Sequence, residues 1–93
     1  MRLDLYLKAS RLVTRRSIAR QLCDSNRVSV NGGAAKASKE IKIGDEIEIV
    51  RGSRQTIIKV IDVPGTKQVS KQFAARLFNV LEDKFLTDDE AFY

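Results

Sequence analysis

Arg15 and Arg16 follow Thr14 directly, and Arg20 comes one helical turn later. Thr14 is a good N-cap, so a helix opening there carries two cations in its first turn. Cations at that end oppose the positive pole of the helix dipole and cost about 0.3–1 kcal/mol each when exposed. Stability alone favours Asp or Glu. The free amide groups of a helix start attract phosphate, and an arginine fork binds two of its oxygens at once. The pair therefore reads as a phosphate clamp. Arg16 and Arg20 share a face opposite the centre of the helix's apolar stripe, turned to solvent or a ligand. Arg15 falls nearer the apolar arc and can join the clamp or lie over the core with its head in solvent. Arg20 can extend the Arg16 face or pair with Asp24 at i,i+4, which is worth only about 0.3–0.5 kcal/mol. Arg2, Lys8 and Arg11 on the first helix and its end, with Lys36 and Lys39 beside a hairpin, can extend one basic surface. Asp4 can stabilise the first helical turn or pair with Lys8. Asn31 and Gly32 are turn chemistry first, and can also bring the backbone close to a ligand.

Other chemistries are excluded by residue type. The chain has no His, so Ser-His and Cys-His nucleophile pairs and His-bearing metal sites are ruled out. A single Cys makes neither an internal disulfide nor a multi-Cys zinc site. A reducing compartment is expected. The start MRLDLYLKAS puts charges where a signal peptide needs an apolar core, and the longest apolar stretches are too short to span a bilayer. Cytoplasm is the expected location, with no membrane contact. A Ser-Lys pair is the only nucleophile chemistry left, and no context supports one. A binding protein with no metal or other cofactor is expected, not an enzyme.

The elements that must position these residues fit one domain of 93 residues, 43% hydrophobic and 31% charged. Its net charge of +5 is unevenly placed. Residues 1–39 hold nine basic residues against Asp4 and Asp24, a net of +7, whereas residues 40–93 hold eight basic and ten acidic, a net of −2. A lopsided basic segment is the electrostatic footprint of a polyanion binder.

Helical spacing of Leu3, Tyr6, Leu7 and Ser10 predicts a first helix from Arg2 to about Ala9. The second runs from Thr14 to about Asp24, with Ile18, Ala19, Leu22 and Cys23 as its stripe and Asn26 as the left-handed residue that ends it. The period then becomes alternating. Val28 to Val30 and Ala34 to Lys36 should pair across Asn31-Gly32, the strongest short hairpin signal in the chain, with Gly33 lengthening the turn. After a connector from Ala37 to Ile43 and a Gly44-Asp45 turn, Glu46 to Val50 and Gln55 to Ile61 should form a second hairpin about Gly52. From Ser70, the residues Phe73, Ala74, Leu77, Phe78, Val80, Leu81 and Phe85 cover a wide apolar arc at helical spacing. The expected fold is α+β: two short N-terminal helices on a small antiparallel sheet, plus a C-terminal helix. Residues 1–66 form the binding domain, 67–86 the C-terminal helix and 87–93 an acidic flexible tail.

The order and spacing of several of these pieces are similar to a known family. Arg2-Leu3-Asp4 with Leu7, Arg16-Ser17 with Ala19, Val28-Ser29-Val30-Asn31-Gly32 and Gly44-Asp45-Glu46-Ile47 resemble the S4 RNA-binding domain, the alpha-L module. Asn26 stands where that family usually has Gly, and Asn tolerates the same left-handed backbone. The resemblance implies RNA binding by shape and backbone contact, as expected for structured RNA. It places the Arg2-x-Asp4 start at the RNA-contacting edge, where Asp4 can orient an arginine or accept from a base amino group or a ribose 2′-hydroxyl. A stand-alone S4 domain with a short tail is similar to the small ribosome-associated S4 proteins, the group that includes the heat-shock 15-kDa protein. That implies large-subunit rRNA and peptidyl-tRNA as partners and a role beside RqcH in C-terminal alanine tailing; a monomer is expected. Two other readings remain at this point. One is a heat-shock 15-kDa-type factor that recycles stalled subunits. The other is a protein-interaction adaptor using the C-terminal helix.

Overall fold

Helix α1, Leu3–Ala9, and helix α2, Arg16–Asp24, come first and pack on each other and on one face of a sheet. The computed structural model describes residues 1–65 and 69–85. Leu3, Tyr6 and Leu7 are fully buried on the inner side of α1, as are Ala19 and Cys23 on α2, with Ile18 and Leu22 partly covered. The stripes read from helical spacing are therefore the faces that pack. Asn26 has φ +58°, and the amide of Arg27 reaches back to the carbonyl of Leu22, which stops α2 where Asn is tolerated.

Strands β1, Val28–Val30, and β2, Gly33–Ala34, form the Asn-Gly hairpin. Val30 pairs with Gly33, so the turn holds two residues and the return strand starts at Gly33 instead of Ala34. Asn31 at φ +52° and Gly32 at φ +85° give the primed turn whose twist matches that of the strands, so no longer loop is needed. Strands β3, Glu46–Arg51, and β4, Arg54–Val60, make the second hairpin about Gly52-Ser53. The sheet is antiparallel throughout, in the order β2-β1-β3-β4-β5. Ile47, Ile49, Ile58 and Val60 face the helices, and with α1 they build the core.

The C-terminal third departs from expectation. A single turn, α3, Lys71–Ala74, capped by the Ser70 hydroxyl, takes the place of the predicted long helix. The chain then runs as strand β5, Phe78–Phe85, along β4. Ile57 pairs with Glu82 and Ile58 with Val80, which leaves Leu81 as an extra residue in a bulge. One inserted residue hides a two-residue period and mimics a helical one, so the spacing misleads. The energetics favour the strand as well. β4 is a seven-residue, β-branched strand whose outer amides and carbonyls need partners. Helix α2 packs against β1 and β3, and β5 joins the far edge of the sheet, beyond that cover. Accordingly Val80 and Leu81 are half-exposed and Phe85 is 76% exposed, where a core stripe was expected. Residues 87–93, read as an acidic tail, lie outside the described residues.

Tyr6 ties the two ends of the fold together. Its hydroxyl donates to the carbonyl of Leu77 at 2.7 Å inside the core, and burial, then the charge of Asp62, pushes its pKa upward. That carbonyl also accepts from Ile61 and Asp62, so it stays bonded without the tyrosine. Tyr6→Phe should therefore cost only the one bond, about 1 kcal/mol, read as a lower urea midpoint at unchanged slope. A loss several times larger would mean that the hydroxyl holds the β5 strand in place.

Candidate nucleic-acid interface

The first-turn amides of α1 are satisfied by a distant strand of chain. Leu3 donates to the Lys39 carbonyl at 2.7 Å and Asp4 to the Ala37 carbonyl at 3.1 Å. The backbones of Arg2 and Glu40 form an isolated antiparallel bridge, and Ile41 donates to the Met1 carbonyl. Any helix start leaves such amides unpartnered, and here the connector between β2 and β3 fills the need. The same bonds bring Lys36 and Lys39 beside Arg2 and Asp4.

The entry to α2 differs from expectation. Val13 is buried and donates to the Leu7 carbonyl, which folds residues 11–14 against the end of α1. The helix therefore opens later than Thr14 allows. Arg15 is the N-cap, in extended conformation and without a side-chain capping bond, and Ile18 and Ala19 donate to its carbonyl. Of the expected pair, only Arg16 lies in the first turn.

Asp4 is the centre of the arrangement, with its side chain fully buried. Its Oδ2 accepts from Arg16 Nε at 2.9 Å and lies 3.4 Å from Arg20 Nε. Its Oδ1 accepts from Arg2 Nε at 3.2 Å and from the Leu5 amide at 2.9 Å. Burial raises the carboxyl's pKa, but the bond and charge of Arg16, the charge of Arg2 and the Leu5 amide outweigh it and hold Asp4 below the usual carboxylate range. One carboxylate thus gathers three guanidinium groups, two from α2 and one from the N-cap of α1. Arg16 and Arg20 bend back to Asp4 instead of projecting freely, and Arg20 takes Asp4 in place of the Asp24 expected at i,i+4; the Asp4–Lys8 pair does not form either.

The chemistry follows from which nitrogen each arginine uses. All three give Nε to Asp4 and remain between a third and just over half exposed. Their outward Nη groups can take phosphate oxygens while Asp4 fixes the planes of the forks. The carboxylate also offsets the cost of a cation at the start of α2. A preformed cluster with a net charge of +2 is the result.

Arg2, Arg20 and Lys36 line one shallow groove together with Cys23 and Asn26. The Cys23 thiol is pushed up to about 11 by burial and then by the charges of Asp4 and Asp24, so it stays protonated and acts as a small core residue. Lys8, Arg15 and Lys39 are exposed. Arg11 sits beyond the far end of α1, where its Nη2 donates to the Val69 carbonyl. Asn31 is occupied at both ends, donating to Asp45 and accepting from the Glu46 amide. Tyr6 is fully buried and offers no base a stacking face. Sequence reasoning passed over Arg27, Arg51 and Arg54, which have no motif around them. Among the described residues no group of Cys, Asp and Glu could hold a metal ion, and no helix is long and apolar enough to cross a membrane.

Two helices on a small sheet, with three arginines gathered on a buried carboxylate, define an α+β module with a preformed cationic surface, the footprint of a polyanion binder. The chain belongs to the S4 domain family, whose profile matches residues 1–47. It is 38% identical over 86 residues to the RQC P-site tRNA stabilizing factor of Bacillus subtilis, covering 92% of this chain and 98% of that protein. To the protein of the same name from Streptococcus pneumoniae it is 36% identical, over 89% of this chain and 92% of that one. Among solved structures, trimeric Heat Shock Protein 15 of Vibrio cholerae matches with a TM-score of 0.78 at 28% identity, covering 97% of this chain and 84% of that one.

Proposed function

We propose that this protein is a non-catalytic RNA-binding factor of ribosome-associated quality control, acting as the RQC P-site tRNA stabilizing factors similar to it do. It binds the large ribosomal subunit that carries peptidyl-tRNA and steadies the tRNA there. The observation that carries the reading is the Asp4-held cluster of Arg2, Arg16 and Arg20, with Lys36 on the same groove. Relatives that align over nearly their whole length and are RQC P-site tRNA stabilizing factors support the ribosomal setting. In this reading the protein acts as a monomer, and RqcH adds alanine to the tethered chain. The adaptor reading loses its basis, because the C-terminal helix it needs is a strand in the fold.

Sedimentation on gradients tests the proposal, with large subunits bearing peptidyl-tRNA as the probe. The protein should travel with the subunits at about 50 mM salt. If each of the three arginines meets one phosphate, affinity should fall roughly 20- to 40-fold between 50 and 200 mM salt. Binding that ignores salt would point to an apolar protein contact and overturn the RNA reading.

A further inference from the structure

The C-terminal half has a net negative charge in sequence, yet the fold draws part of its positive charge into a second patch. Arg51 ends β3 on the same face as Ile47 and Ile49, so it projects on the helix side of the sheet. Its Nη1 donates to the Leu12 carbonyl at 3.3 Å, which fixes the guanidinium against the α1–α2 loop. Arg11, in the same loop, is held by the Val69 carbonyl at 3.3 Å. Both side chains line a concave face with Arg54, and Arg51 borders a second hollow that Arg27 also lines. Among the described residues that line this face, the acidic one is Asp83, which accepts two bonds from Arg54, at 2.9 and 2.6 Å, and one from Thr56. Among the described residues, no carboxylate pairs with Arg11, Arg27 or Arg51.

We propose that Arg11, Arg27 and Arg51 form a second phosphate-binding surface, at the opposite end of α1 from the Asp4 cluster, so that the protein grips structured RNA at two places. The proposal rests on the RNA-binding reading above, assigns Arg11 to a surface separate from Asp4, and extends the reading to Arg27 and Arg51, which no motif marks. The seven residues of α1 separate the two patches by about 10 Å. That is close to the screening length at physiological salt, so each patch must meet its own phosphates. The outer face of the sheet, with Glu46, Glu48 and Glu82 against Lys59 and Lys84, has no such excess. Both basic patches thus lie on the helix side, the side that would be turned to RNA. The phosphates can belong to rRNA or to the tRNA, which present the same chemistry.

Arg11 gives an unusually clean test. It holds φ +61°, a conformation glycine adopts without strain, so Arg11→Gly removes the charge and should leave the melting temperature equal or higher. Combined with Arg51→Gln, which keeps a donor for the Leu12 carbonyl, it should fold normally. Binding to purified large subunits is then measured with and without peptidyl-tRNA, alongside Arg16→Ala as a control. The double variant should bind roughly tenfold more weakly, and the slope of log affinity against log salt should flatten by about 1–2. A loss confined to tRNA-bearing subunits assigns the surface to tRNA, and a loss on both assigns it to rRNA. Wild-type affinity and slope in the double variant, with binding lost in Arg16→Ala, would overturn the second surface and leave the proposed function standing. Normal binding by both variants would overturn both. Normal RNA binding with loss of a co-purifying protein would give the surface to a protein partner and overturn the proposal.

Discussion

Asp4→Asn is expected to weaken RNA binding about tenfold even though it removes a negative charge and so raises the protein's net charge by one. A binding surface governed by net charge alone would gain affinity from the change. Here the carboxylate orients three forks through their Nε atoms, at 2.9, 3.2 and 3.4 Å. The amide is neutral and cannot hold three cations together, so the guanidiniums separate and the phosphate-facing geometry is lost. Tenfold corresponds to about 1.4 kcal/mol. The fold suffers as well. Removing one partner of a fully buried ion pair typically costs about 3–5 kcal/mol. These arginines are a third or more exposed and can turn to water, so about 2 kcal/mol is the better expectation, or a melting temperature lower by roughly 8–16 °C. The acid limb provides an internal check. Asp4 has a depressed pKa in the folded protein, so its contribution is present above the unfolded value of about 3.9 and is lost as pH falls through the folded one. The stability gap between wild type and Asp4→Asn should therefore be constant near neutrality and close below about pH 4. Tighter binding by a folded Asp4→Asn would show that the cluster acts only as diffuse charge.

Arg16→Glu is expected to abolish binding to large subunits, a loss of 100-fold or more. It reverses the charge at the start of α2 and also sets a second carboxylate against Asp4, so it strikes both the ligand and the cluster. Two milder variants separate these effects. Arg16→Ala leaves Asp4 bonded to Arg2, Arg20 and the Leu5 amide, so it should cost about 1 kcal/mol, roughly 4–8 °C, while binding falls tenfold or more. Arg16→Lys keeps the charge, but an ammonium that pairs with Asp4 has no rigid second edge for phosphate. Its melting temperature should stay close to wild type and its binding fall several-fold. If Arg16→Lys binds as wild type does, the fork geometry is irrelevant and charge suffices. If Arg16→Ala unfolds the protein, Arg16 is structural first.

These variants also mark where reading the sequence stops. Arg16 stood out because a cation beginning a helix conflicts with stability, and such a conflict involves only near neighbours. Arg15 beside it looked alike, yet the fold sets it outside the helix, because buried Val13 delays the start of α2. The predicted C-terminal helix failed for a comparable reason. Phe78, Val80, Asp83 and Phe85 share one face of β5 only because Leu81 is bulged out, and the bulge exists only in register with β4.

By itself the sequence determined what neighbours within a few residues decide. Apolar spacing specified which faces of α1 and α2 pack, Asn26 and Asn31-Gly32 specified where the chain turns, and missing residue types removed whole classes of catalysis. It also concentrated positive charge in residues 1–39. The tertiary structure alone decided which of those charges work together. Asp4 meets Arg16 and Arg20 from another helix, and Arg11 and Arg51, forty positions apart, border one concave face. The β2–β3 connector completes the start of α1, and β5 takes the open edge of β4. Local preferences are set by backbone sterics and side-chain period over three or four residues. A guanidinium's direction is set by whichever carboxylate or carbonyl the folded chain brings within 3 Å or so, and no spacing along the sequence encodes that distance.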